Sequence, residues 1–169
     1  MKLSDLSADD IEDFIRDNYD QLYKYCYWKV KNHSDAEDLT QETFLRFVGN
    51  LTDYTEQGKP KALLYTIARN LCINWYKQIK LFSLSETQES IISAEIDEIT
   101  KVENRIAIEQ YLGELPLEQQ EILMLRYGQE LQVNEIAHIM KITRFTVMYR
   151  IKTAISTLNK KIGKGGLIF

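Results

Sequence analysis

Apolar residues recur at helical spacing along this chain, and no segment shows the alternation of a half-buried strand. That pattern restricts the fold to helix packed on helix. Only 2 prolines and 7 glycines interrupt the 169 residues. Expected helices run from Ala8 to Lys31, from just after Ser34 to Gly49 or Asn50, and from Pro60 past Lys80. Four more are expected from about Ile99 to Leu112, from Pro116 to Tyr127 or Gly128, from Val133 to Met140, and from Arg144 to Lys161. Ser7 with Asp10, and Ser34 with Glu37, have the spacing of capping boxes. Ile11, Phe14, Ile15, Leu22, Tyr25 and Cys26 form the apolar stripe of the first helix; Leu39, Phe44, Leu45 and Val48 continue through the second.

Between these helices the pattern weakens twice. Residues 52–59 read as a polar loop. Residues from Ser83 to Thr100 are rich in serine and acid and carry no stripe. The expected class is therefore all-α, as two small helical domains: residues 1–82, a linker over 83–98, and residues 99–169.

Charge is sorted along the same boundaries. Residues 1–58 carry 6 basic and 13 acidic side chains, and residues 59–82 carry 5 basic and none acidic. Residues 83–121 carry 2 against 10, and residues 122–169 carry 8 against 2. An acidic chain of net charge −4 thus holds two basic islands. Each is a candidate footprint for phosphate, while the overall charge disfavours binding nucleic acid alone.

Several function classes are excluded at this level. There is no nucleophile–base pair, no phosphate-binding glycine loop and no metal cluster, so neither catalysis nor a cofactor is expected. His33 and His138 stand alone. Cys26 and Cys72 sit within apolar helical patterns and read as buried structural thiols. No stretch approaches the roughly 18 apolar residues of a membrane span, and the acidic N-terminus lacks the apolar run of a leader. A cytoplasmic location is expected.

The segment VNEIAHIMKITRFTVMYRI has helix-turn-helix spacing. Ile136, Met140, Ile142, Val147 and Ile151 supply its core, and Ala137 is small where two helices approach. Lys141 occupies the turn position that favours φ > 0, and Thr143 suits the N-cap of the second helix. The outer face then offers Arg144, Phe145, Met148, Tyr149 and Lys152, a set of long donors and apolar atoms suited to the major groove. Lys160, Lys161 and Lys164 follow, for phosphate or solvent.

The segment DAEDLTQETFLRFVGN, the polar loop after it and KALLYTIARNLCINWYK resemble region 2 of the sigma-70 family of bacterial RNA polymerase sigma factors. LPLEQQEILMLRYGQELQVNEIAHIMKITRFTVMYRIKTAISTL resembles region 4 of the same family. The likeness is to the extracytoplasmic-function group and covers most of residues 8–162. It implies a transcription initiation factor with core RNA polymerase and promoter DNA as partners. The factor would recognise −35 and −10 elements and assist melting; an anti-sigma factor is a common partner in the group. It implies a polymerase-docking helix carrying Asp35, Glu37, Asp38, Leu39, Gln41, Glu42 and Phe44. It places Lys61, Arg69, Asn70, Asn74, Trp75 and Lys77 at the −10 element, and residues 52–61 at a flipped base. At the −35 element it places Met148, Tyr149, Lys152 and Thr153, with Arg144, Phe145 and Arg150 beside them.

Three departures accompany the likeness. Leu63-Leu64 stands where the family often has Trp-Leu, so an aromatic wedge is missing from its usual place. Thr153 and Ile155 replace expected basic residues, which leaves fewer phosphate contacts. Nothing between residues 83 and 98 could form regions 1.2 or 3 of larger sigma factors. Two other readings share the residue pattern. One is a stand-alone helix-turn-helix regulator that binds an operator without polymerase. The other is a helical adaptor whose basic islands meet an acidic protein.

Overall fold

The structure, a computed structural model, describes residues 5–51, 59–83 and 103–165. Among the described residues there is no strand. The chain divides into two compact units, Met1–Glu95 and Ile96–Phe169. The first holds α1 (Ala8–Val30), α2 (His33–Asn50) and α3 (Pro60–Ser83). The second holds α4 (Glu103–Gly113), α5 (Leu117–Leu123) with a π-helical continuation (Met124–Gly128), α6 (Val133–Met140) and α7 (Arg144–Gly165). Of the expected loop over 52–59 only Lys59 is described, and of the linker over 83–98 only Ser83. The remainder of both lies outside the described residues, as do the first residues of the helix expected from Ile99 and the side chain of Lys164.

In the first unit, α1 opens on the expected capping box. The Ser7 hydroxyl accepts from the Asp10 N–H at 3.2 Å, and the Asp10 carboxylate accepts from the Ser7 N–H at 3.0 Å. The Ser7 hydroxyl and backbone N–H together hold the Asp10 carboxyl below its ordinary range. α1 closes at Lys31, which takes the left-handed conformation at φ 55°. That early closure changes the next cap. α2 begins at His33, and Asn32 accepts from the Asp35 N–H at 2.9 Å. The expected Ser34–Glu37 box is therefore not the cap, because Ser34 already lies inside the first turn.

The inward face of α2 consists of Ala36, Thr40, Thr43, Phe44 and Phe47. Both threonines are buried at little cost. Thr40 donates to the Ala36 carbonyl and Thr43 to the Leu39 carbonyl, each at 2.6 Å. Leu45 and Val48 were expected on the apolar stripe, but they are 70% and 41% exposed. Helical geometry explains this: they lie about 160° and 100° around the axis from Phe47.

Leu22, Cys26, Phe47, Leu64, Tyr65, Ala68 and Cys72 fill the centre of this unit. The Phe14 and Phe47 rings stack at 5.0 Å, and Tyr65 meets Tyr25 edge-on at 5.2 Å. Both cysteines are buried and unbridged. A hydrogen bond with the Cys72 thiol, aided by the Thr40 hydroxyl, holds the Cys26 thiol below its usual range against the opposing effect of burial. On the surface the Tyr76 hydroxyl donates to the Lys29 carbonyl and ties α3 to the end of α1.

In the second unit, Ile122, Leu125, Leu131, Ile136, Ile139, Val147 and Ala154 are fully buried. The helix opened by Pro116 ends at Gly128 in a widened turn. The Leu131 N–H donates to the Leu125 carbonyl at 3.1 Å, and Arg126 Nη1 donates to the Leu131 carbonyl at 2.9 Å. Leu131 thereby enters the core. The Glu135 carboxylate accepts from the Gln132 N–H at 2.7 Å and secures the start of α6. The turn between α6 and α7 passes through Lys141 at φ 56°, and Thr143 Oγ1 accepts from the Thr146 N–H at 3.2 Å. α7 continues past Lys161 to Gly165 and buries Ile162.

Lys141 is thus in the region where a side chain costs on the order of 1 kcal/mol. Lys141→Gly is expected to stabilise the second unit by about 0.5–1 kcal/mol, part of the strain relief being offset by the freer unfolded chain. A thermal melt checks this, and a lowered midpoint would contradict it. No helix among the described residues is long and apolar enough to cross a membrane.

Candidate nucleic-acid interface

Three helices present the residues singled out in the sequence, each in a different chemical setting. On α2, Glu37, Asp38 and Gln41 are exposed, and Asp35 is half-buried. Glu42 is partly committed, since its Oε1 lies 2.7 Å from Arg46 Nε. Leu39 is half-buried. Phe44 turns inward and stacks on Tyr19 at 5.9 Å, so it belongs to the core and not to an outward contact. The apolar atoms on the acidic side come from Leu45 and Val48. Steps of three and four residues align Asp38, Gln41, Leu45 and Val48 on one face. Anionic at its start and apolar towards its end, this face fits a basic amphipathic partner.

On α3, Asn70, Asn74 and Lys77 are separated by four and three residues and share a side. Asn74 and Lys77 are exposed and Asn70 is half-buried. Arg69 is half-buried at the flank of this face. Lys61 and Trp75 are not brought to it: they lie on the opposite half of the helix, and Trp75 meets Tyr76 edge-on at 5.1 Å. Amide and ammonium donors along one exposed side suit the base edges and phosphates of an unpaired strand. Leu63, at the place of the missing wedge, is half-buried, and Leu64 beside it is fully buried.

On α7, Phe145 and Tyr149 are 71% and 70% exposed, and Met148 and Lys152 lie beside them on the outer surface. The Arg144 guanidinium lies 5.2 Å from the Phe145 ring centroid. The hydroxyl of Thr153 is committed to the Tyr149 carbonyl at 2.9 Å. Arg150 points elsewhere: its Nη1 lies 2.6 Å from Glu118 Oε2 on α5. Sequence reasoning missed Leu45, Val48 and Glu118. Angular position was the available signal for the first two; for Glu118 nothing short of the α5–α7 packing could have pointed to it.

A helix-turn-helix whose second helix exposes an aromatic and basic face defines a DNA-binding protein of that class. Comparison with known proteins gives the family. Residues 14–81 match Sigma-70 region 2, and residues 111–160 match Sigma-70, region 4. The chain is 29% identical over 138 residues to RNA polymerase sigma factor YlaC of Bacillus subtilis, across 78% of this chain and 80% of that protein. It is 35% identical over 133 residues to ECF RNA polymerase sigma factor BldN of Streptomyces coelicolor, across 75% of this chain and 50% of that protein. In fold it is similar to the sigma factor RpoE of Bartonella quintana, solved in complex with the anti-sigma factor NepR. The TM-score is 0.65 at 20% identity, covering 91% of this chain and 97% of that one. The chain belongs to the sigma-70 family of RNA polymerase sigma factors, in its extracytoplasmic-function group. Members of that family are transcription initiation factors and not catalysts.

Proposed function

We propose that this chain docks on core RNA polymerase through the outward face of α2, sets α7 on a −35 element, and lays α3 along the unpaired strand of a −10 element. Asp38 and Gln41 pair with basic and polar groups of the polymerase, and Leu45 and Val48 add apolar contact. Asn70 and Asn74 read bases of the melted strand, with Lys77 on its phosphates. Met148, Tyr149 and Lys152 read the −35 bases, and Arg144 meets the backbone. Residues 1–82 act as the polymerase and −10 domain, residues 83–98 as a linker, and residues 99–169 as the −35 domain. The protein acts in the cytoplasm, and an anti-sigma factor is a further partner.

One observation carries the reading. The helices assigned to the three tasks each turn a chemically distinct face to solvent, and each face matches its partner: anionic and apolar on α2, amide and ammonium on α3, aromatic and basic on α7. With a net charge of −4 the free chain holds DNA weakly. Held on the polymerase, two weak contacts reinforce each other through effective concentration.

An electrophoretic shift on a promoter pool, run with and without core polymerase, tests this. The expected result is little specific shift alone and a clear supershift with core. Specific binding of a palindromic site by the chain alone, as a dimer, would replace the reading with that of an operator-binding regulator. No DNA complex under either condition would leave only an adaptor.

A further inference from the structure

The cations of the second basic island do not all face one way. At about 100° per residue, Arg150 lies about 160° around α7 from Lys152 and within about 60° of Val147 and Ala154. Both of those neighbours are fully buried. Arg150 therefore sits on the inner half of the helix that carries the outward DNA-reading face. Its side chain is 27% exposed and that of Glu118 61%; its Nη1 is shielded from solvent, and Glu118 Oε2 lies 2.6 Å from that nitrogen, at ion-pair distance but without the angles of a hydrogen bond. Farther along the same inner side, the Lys161 ammonium pairs with Glu114, in the turn after α4, and lies 6.0 Å from the Tyr111 ring centroid. Arg126 is also turned inward, onto the Leu131 carbonyl. Of the seven basic residues of this island whose side chains are described, three are thus engaged within the unit, two of them by carboxylates of the acidic block that precedes it.

We propose that Arg150 and Glu118 are positioning residues for promoter recognition: they form a latch between α5 and α7 that fixes the orientation in which Met148, Tyr149 and Lys152 meet the −35 bases. Arg150 is then not a DNA contact. To reach a phosphate it would have to abandon its carboxylate and cross from the buried side of the helix to the exposed one. On the Glu118 side the pair resembles an ordinary surface ion pair, whose worth is small; on the Arg150 side it does not. One nitrogen of the guanidinium is desolvated, so loss of Glu118 leaves a shielded cation without its counter-charge. The latch sits beside the small apolar cluster of Leu115, Leu123 and Ala154, with Leu112, Ile155 and Leu158 packed against it, which holds the same helices by shape alone. Packing of this kind resists separation; an ion pair at its edge adds a second point of attachment against rotation.

The proposal rests on the reading of α7 as the −35 helix, and the test separates the two. Holoenzyme is reconstituted with the wild-type chain, Arg150→Gln, Glu118→Gln, the double Gln variant, and the swap Glu118→Arg with Arg150→Glu. Each is bound, over a range of salt, to promoter fragments selected from a pool by the wild-type holoenzyme, and to the same fragments with the −35 element scrambled. Each single Gln variant is expected to lower discrimination between the two fragments by about tenfold, in the middle of the range for coupled neighbours. The double variant is expected to match the singles, with the salt slope unchanged. The swap is expected to restore discrimination although it places a carboxylate at position 150. A fall in salt slope of about one charge in Arg150→Gln, with Glu118→Gln behaving as wild type, would mark a phosphate contact and overturn the latch. So would additive losses in the two Gln variants, whether or not the swap folds. If the wild-type holoenzyme selects no −35 motif at all, the reading of α7 fails and the latch falls with it.

Discussion

Phe47→Ala is expected to unfold the first unit under conditions where Leu45→Ala leaves it folded. Two residues apart on one helix, the two side chains have opposite fates. Phe47 is fully buried, stacked on Phe14 at 5.0 Å, while Leu45 is 70% exposed. Truncating a buried phenylalanine costs about 3–5 kcal/mol, because the neighbouring helices relax only partly into the space left behind. Small domains have about 5–15 kcal/mol in total. For a unit of this size the transition temperature should fall by roughly 15 °C or more. Circular dichroism melts and amide exchange in α1–α3 give the measurement. The same pair separates stability from docking. Phe47→Ala should lose polymerase binding through loss of fold, whereas Leu45→Ala should bind more weakly with an unchanged melt. Equal melting of the two variants would mean that the inward face of α2 has been wrongly assigned.

That contrast also marks how far the sequence could be read. The helices were legible because apolar spacing, Pro60 and the Ser7–Asp10 pair all point the same way. The left-handed residue at Lys141 was legible because a helix-turn-helix requires one there. The start of α2 was harder, since Asn32 and Ser34 are both good caps. The choice between them follows from where α1 stops, and that depends on Lys31 taking a positive φ that its residue type does not announce. Leu45 and Val48 were grouped with the core by residue type, although their angular position sets them apart from Phe47. The widened turn at Met124–Gly128 accompanies the contact of Arg126 with the Leu131 carbonyl, and no local pattern signals that contact.

The candidate faces divide in the same way. Asn70, Asn74 and Lys77 fall together because their spacing is helical, while Lys61 and Trp75 were drawn in by likeness to the family and lie on the other half of α3. Arginine on a recognition helix invites a DNA role, yet the direction of Arg150 is decided by Val147 and Ala154 beside it and by Glu118, which is 32 residues away in the chain. Net charge by block therefore overstates the cationic surface. The acidic residues that precede the second island neutralise part of it from within, which agrees with a factor that depends on its polymerase for affinity.

Reversing charge on α2 should have the largest functional effect. Asp38→Arg combined with Gln41→Lys is expected to weaken binding to core polymerase by more than about 100-fold, equivalent to about 2.7 kcal/mol. The helix itself should survive. Both positions are exposed, neither is the N-cap, and the inward face is untouched. What changes is the interface. A face that offered acceptors to basic groups would present like charge to them, a juxtaposition that costs several kcal/mol when the groups are brought together. Competition binding against the wild-type chain measures the loss, and helical circular dichroism controls for fold. Salt gives a further discriminant: attraction between the wild-type face and a basic partner should weaken from 0.05 to 0.5 M salt, because screening shortens from about 14 Å to about 4 Å, whereas the residual binding of the variant should rise as its repulsion is screened. If the variant competes as well as the wild type, α2 does not meet the polymerase by this face, and Leu45 and Val48 lose the role assigned to them.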